Sequence, residues 1–450
     1  MQKKRTVNYS LLSFLKHRIN GGMLLMSVAL IAMLIANSPL GEAYQSFWSH
    51  PMQLSIGDFN LFSQNGKPLT LMEFINDALM ALFFFSVGLE IKREIMVGEL
   101  SSFRKAMLPI IAAFGGMLFP VLIYFLVAPS GPEASGLAIP MATDIAFSLG
   151  VLSLFGRRVP ISLKIFLTAF AIVDDIGGIL VIAIFYSNDL AMSYLIASVV
   201  VLAILYMGNR MGVMHKMFYI VFGIVMWYFF LQSGINCTIA GVLIAFMIPA
   251  KPRLDVKRYI KRMRDSLDKF PDLSTNGEEI IVLDDDQINE LKSIEAASSR
   301  VISPLQSIEN SMHGWINYFV MPLFAFANAG VVLSGGGGDT FGMVTLAVLL
   351  GLTLGKFVGV FSFTFLAIKL NLVQMPKGMD WHSIAGVSLL GGIGFTVSLF
   401  IANLSFGTHP DLLNQAKLGV LLGTIVSGLL GYVVLNYVLP KESSLEPIEE

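Results

Sequence analysis

The chain has 450 residues and a formal net charge of −1, with 55% hydrophobic and 14% charged residues and a mean hydropathy of +0.72. Soluble domains carry about 25% charged residues, so an ordinary soluble domain is excluded, and the near-neutral balance offers a nucleic-acid partner nothing to bind. The single cysteine, Cys237, excludes an intrachain disulfide and a multi-cysteine metal centre and is expected to pack as a small apolar residue.

Hydropathy predicts an all-α integral membrane protein of about 12 transmembrane helices, centred near residues 29, 81, 116, 146, 174, 199, 224, 242, 324, 350, 392 and 427. The basic start Met1–Arg5 precedes an apolar run over 21–37. No Ala-x-Ala-like site closes that run and many spans follow, so a retained first helix is expected. Residues 52–70 alternate in short runs around Asn65-Gly66 and predict an extracytoplasmic β-hairpin, a candidate homodimer contact. The expected organisation is a membrane domain in two parts, 1–250 (spans 1–8) and 311–440 (spans 9–12), with a charged cytoplasmic loop over 251–310 and an acidic tail over 441–450. The loop is basic from Lys251 to Lys269 and acidic from Asp272 to Glu295. It reads either as a solvated linker or as an element whose basic half meets anionic lipid headgroups. Lysine and arginine fall at the N-terminus and in alternate loops, including Lys92/Arg93, Arg157/Arg158, Arg210/Lys216 and Lys369/Lys377. That asymmetry places both termini in the cytoplasm, which an even number of spans requires.

Several charges lie inside these spans. Asp174 and Asp175 occupy the middle of the apolar stretch 165–184, where each carboxylate costs at least about 2.5–3.5 kcal/mol to insert. Asp144 follows Thr143 in a span containing Pro140, Lys356 lies in Leu349–Gly359, and Glu90 ends the second span near the interface. The Asp144 span and the glycine-rich Gly391–Ser398 both look breakable, which is tolerated at that depth only around a cavity or within protein. They are the middle helices of spans 3–5 and 10–12, two triplets of opposite orientation, so inverted repeats are expected, with two broken helices crossing at mid-membrane. On this view Asp144 balances the positive helix ends and Lys356 the negative ones. A carboxylate pair in a dry cavity can hold either protons or a small hard cation, whose preferred ligands are oxygens. Successive residues point about 100° apart on a helix, so one aspartate is expected to reach Lys356 and the other the cation.

Five ordered motifs resemble the NhaA-type sodium/proton antiporters: Phe74–Glu94, Ala142-Thr-Asp-Ile-Ala-Phe147, Val173-Asp-Asp-Ile176, Pro322–Gly330 and Gly391-Gly-Ile-Gly-Phe-Thr396. They run across nearly the whole chain apart from 251–310, and that family itself exemplifies the inverted-repeat arrangement. The resemblance implies a bacterial inner-membrane exchanger of Na⁺ and Li⁺ for H⁺, electrogenic and pH-regulated. It is no enzyme, and it needs no organic cofactor and no permanently held metal. It implies that Asp175 carries the cation and proton with Thr143 nearby, that Asp174 pairs with Lys356, and that Asp144 balances the helix breaks. It assigns pH sensing to Glu90, Arg93, Glu94, Glu309 and His313. Asn236 stands where some members carry histidine and cannot titrate, which implies a different pH threshold. Two alternatives use the same charges. A sodium-coupled symporter could bring an organic anion to Lys356. An intramembrane aspartyl protease needs two acids sharing one proton, but its Gly-x-Gly-Asp arrangement is missing, since Gly392-Ile-Gly394 runs on into Phe395.

Overall fold

The computed structural model describes residues 21–440 apart from 57–58, 61, 65–66, 187–190, 251–255, 333–340 and most of 268–300. The basic N-terminus, the Asn65-Gly66 pair, most of the acidic stretch and the C-terminal tail therefore lie outside the described residues.

Helix α1 (Gly21–Ala36) turns through 112° into α2 (Gly41–Trp48). Two short antiparallel ladders follow, Ser55–Ile56 with Phe59–Asn60 and Ser63–Gln64 with Lys67–Pro68, and a bridge from Pro51 to Thr70 closes the segment. The second ladder is docked: Gln64 donates to the Leu231 carbonyl and Gln232 to that of Ser63. Thr70 then starts α3 (Leu71–Val97) with a reciprocal capping box to Glu73, satisfying two otherwise orphaned amides.

The helices after α3 are α4 (Phe103–Val127), α5 (Ile145–Ser153), α6 (Ile161–Phe185), α7 (Met192–Arg210), α8 (Lys216–Ser233), α9 (Cys237–Met247) and α10 (Val256–Leu267). Helix α11 (Pro304–Trp315) passes through a π turn into α12 (Met321–Asn328), followed by α13 (Met343–Lys369), α14 (Trp381–Leu390), α15 (Phe395–Phe406) and α16 (Pro410–Val438).

The burial pattern is that of a multi-pass membrane protein. On α4, Ile110, Phe114, Leu118, Leu122 and Leu126 recur every fourth residue and are all exposed. The opposite face of α4 buries Leu108, Ala112, Gly115, Gly116, Pro120 and Tyr124. An outward apolar stripe is what a hydrocarbon solvent permits, and recurrence every fourth residue sets it on one face. The inner face admits α13 closely, because a Cβ on Gly115 would stand 2.3 Å from the Gly359 carbonyl oxygen.

Among the described residues, seven helices are long and apolar enough to cross a bilayer, or up to ten if each of three bent pairs counts as one span. The twelve predicted segments thus outnumber the helices that meet a length criterion among the described residues. The eighth, α9, has only 11 residues, between the Asn236 cap and Pro249, and so rises about 16 Å. Its last carbonyls are capped from neighbouring spans, by Asn209 on Met247 and by Lys92 on Phe246 and Ile248. Before α5, the fourth segment is not α-helical. Gly131, Pro132, Gly136 and Pro140 leave it in two 3₁₀ turns, Pro132–Gly136 and Ile139–Met141.

One core cluster gathers residues of α1, α3–α6 and α12–α16, and a smaller one joins α7, α8 and α9 to Leu89 of α3 and to Leu305 and Ile308 of α11. Cys237 is buried in a third small cluster with Leu69, Ala81 and Leu231.

Candidate ion-binding site

The two glycine- and proline-interrupted segments meet. The stretch 142–144 is extended before α5, and Gly391–Gly394 separates α14 from α15, each pair bending by 44°. The Asp144 amide donates to the Ile393 carbonyl at 2.6 Å. Asp144 caps α5 by accepting from the Phe147 amide (3.0 Å), and its other oxygen accepts from the amide (3.3 Å) and hydroxyl (2.6 Å) of Thr396 on α15. One carboxylate therefore serves the starts of two helices, where partial positive charge gathers. The carbonyls on the other side of each break are served by hydroxyls. Thr143 donates to Gly391 (2.7 Å), Ser148 to Leu390 (2.9 Å) and, from the opposite segment, Ser398 to Ile139 (2.7 Å). This corrects the expectation that Lys356 balances the negative ends: neutral hydroxyls do so, and the lysine points elsewhere.

Lys356 reaches Asp174. Its ammonium donates to Asp174 Oδ2 at 2.6 Å, with both side chains fully enclosed, and sits 5.6 Å from the centre of the Phe170 ring. Lys356 directly follows a π turn, Gly351–Gly355, inside α13, and such single-turn bulges often aim a functional side chain. The neighbouring acid is left bare. Asp175 is 2% exposed, and among the described residues neither of its oxygens has a hydrogen-bond partner, nor has Asp174 Oδ1. A buried carboxylate must be neutralised, by a proton or by a cation. The arrangement is thus one engaged carboxylate beside one that no donor among the described residues meets.

The groups expected at the membrane edge divide. Arg93 bridges Glu309 of α11 (2.6 Å) and Glu94 (3.1 Å), and Glu94 also accepts from the Glu99 amide. Glu90 lies one turn earlier on α3 and is half-buried. His313 is one turn beyond Glu309, but it is exposed and bonds Asn317 rather than the cluster. Asn236 caps α9, accepting from the amide and hydroxyl of Thr238.

Residues 12–435 match the family model described as Na⁺/H⁺ antiporter 1. The chain belongs to that family. A Phocaeicola vulgatus protein named Na⁺/H⁺ antiporter NhaA is 61% identical over 441 residues, 98% of both chains. A Bacteroides fragilis protein of the same name is 60% identical over 438 residues (97% of this chain, 99% of the relative). One from Porphyromonas gingivalis is 48% identical over 428 residues (94% and 95%).

In this family member two sets of polar groups escape the sequence, three asparagines and two serines. Asn328, at the end of α12, donates to Asn76 Oδ1 on α3 at 2.8 Å, and Asn403 of α15 donates to Asn328 Oδ1 at 2.8 Å. Three spans are thus tied by two amide bonds. Asn76 lies in a further π turn, Ile75–Leu79. Asparagine in an apolar span is the one available signal, because the partners lie 252 and 75 residues apart. The signal for Ser148 and Ser398 is subtler: each falls four residues after the position, Asp144 or Gly394, that opens its half-helix.

Proposed function

We propose that this protein is a secondary sodium–proton antiporter that exports Na⁺ and Li⁺ and admits H⁺. The observation that carries the reading is Asp175, whose two enclosed oxygens have no donor among the described residues, beside the engaged Asp174–Lys356 pair. The names of the relatives agree with it. Oxygen is the ligand that a small hard cation prefers, so cation and proton compete for Asp175. Asp174 supplies a further oxygen when the Lys356 pair opens, and Thr143 lies on the facing segment. More than one group changes protonation per cycle, so exchange is electrogenic. Asp144 keeps its charge throughout, holding the starts of α5 and α15 where the two breaks cross at mid-membrane between inverted repeats of twelve spans. Alternating access is then a movement around this contact, with only the occupied or neutralised site able to reorient.

In this account Glu90, Arg93, Glu94, Glu309 and His313 set the pH at which exchange begins, and Asn236 shifts that threshold relative to members with histidine there. The basic loops face the cytoplasm with both termini, in a bacterial inner membrane, and the 52–70 segment serves a homodimer. The antiporter contributes to pH homeostasis. The symport alternative gains no support, since Lys356 is committed to Asp174.

The test uses everted vesicles from cells lacking their own antiporters. An inside-acid pH gradient is established and NaCl, LiCl or KCl is added. Dissipation by Na⁺ and Li⁺ that is absent in Asp175→Asn supports the proposal. Normal exchange in that variant, or no response from well-expressed protein at any pH, contradicts it.

A further inference from the structure

Helix α10 takes no part in the proposed exchange. Its sequence, Val-Lys-Arg-Tyr-Ile-Lys-Arg-Met-Arg-Asp-Ser-Leu, holds five basic residues and one acid in 12 positions. At 100° per residue, Tyr259, Ile260 and Met263 fall within an arc of about 100°, and Lys257, Lys261 and Arg264 share the neighbouring arc. These three basic residues are exposed, Tyr259 and Met263 are half-buried, and Ile260 is 48% exposed. An apolar stripe beside a cationic one, both partly open, is the pattern of a helix lying in a membrane interface.

The position of α10 supports that occupant. The Leu305 amide donates to the Pro249 carbonyl at 3.2 Å, closing the root of the loop where α9 ends and α11 begins. Helix α10 starts seven residues beyond Pro249, a reach of at most about 25 Å, so it stays near the end of the helix bundle. Lys92 and Lys216, at that same end, carry like charge and bond the carbonyls of α9 and the Ser307 hydroxyl. Their like charge disfavours a cationic helix there, and the acids Glu94 and Glu309 at that end are already engaged by Arg93.

We propose that α10 lies in the headgroup layer and binds anionic lipid, with Ile260 entering the acyl boundary and Lys257, Lys261 and Arg264 at the phosphates. This requires only that the chain is a membrane protein. Each cation near an anionic surface strengthens partitioning by about fivefold, so replacing these three with glutamine weakens the preference by about two orders of magnitude.

The experiment uses the full chain in nanodiscs, with Cys237→Ser and a bimane label on Ile260→Cys. The nanodiscs are phosphatidylcholine alone or phosphatidylcholine with phosphatidylglycerol, with brominated acyl chains as quenchers. Label on Lys261→Cys is the control, and size-exclusion profiles verify folding of each variant. The proposal predicts a blue shift and bromine quenching at position 260 only with phosphatidylglycerol. Both are reversed by high salt and lost in the triple glutamine variant. Equal quenching without anionic lipid overturns it, as does quenching that survives the glutamine substitutions. A blue shift without bromine quenching also overturns it, and points to docking on the chain's own acidic residues 272–295.

Discussion

Asp144 and Asp175 are buried to the same degree, each 2% exposed, yet their surroundings differ in kind. Asp144 accepts three hydrogen bonds, from two helix starts and a hydroxyl. Asp175 accepts none among the described residues. Burial alone therefore does not distinguish these two charges; the donors around them do. A carboxylate fixed by charge-assisted bonds holds the backbone at a break, whereas one left bare must find its counter-ion from outside. On the account proposed here the first is a pivot and the second the carrier.

The comparison can be broken by substitution. Asp175→Asn should abolish exchange to background while leaving the melting temperature of purified protein unchanged or higher, since an uncompensated buried charge is removed. Lys356→Ala should be the most destabilising of these changes, by about 3–5 kcal/mol, because Asp174 is left unpaired, and replacing both partners with apolar residues should recover most of that loss. Thermal melts of the two single variants and the double variant would measure it. Thr396→Val should cost about 1.5–3 kcal/mol through the lost bond to a charged acceptor, slowing exchange in vesicles without ending it. If Thr396→Val proved as inactive as Asp175→Asn, the distinction between pivot and carrier would collapse. Asn328→Leu should cost about 1 kcal/mol or less in stability and be seen mainly as an altered exchange rate. Smallest of all, Glu309→Gln should move the pH profile of exchange by loosening Arg93, which a pH series in the same vesicles would detect.

Much of this was legible in the sequence because membrane solvation is so restrictive. A 20-residue apolar stretch has few folds open to it, and an acid within it is conspicuous, so Asp144, Asp174, Asp175 and Lys356 stood out at once. The glycines and proline of 140 and 391–394 likewise located the breaks. What remained hidden depends on direction and distance. The 100° between Asp174 and Asp175 says only that their partners differ; that Asp174 is the one meeting Lys356 came from the family resemblance and not from helix geometry. The hydroxyls of Ser148 and Ser398 look like ordinary small residues until the opposite carbonyls are in place, and nothing in the sequence shows that Thr143 donates to Gly391. Hydropathy does not distinguish the π turns before Lys356 and around Asn76 from regular helix, and it gives the 3₁₀ turns over 132–141 the same weight as an α-helix.

The most direct measurement is proton release from purified protein when Na⁺ is added in weakly buffered solution, comparing wild type, Asp175→Asn and Thr396→Val. The account predicts release from wild type and from Thr396→Val, and none from Asp175→Asn. Undiminished release from Asp175→Asn would show that cation and proton do not compete at Asp175.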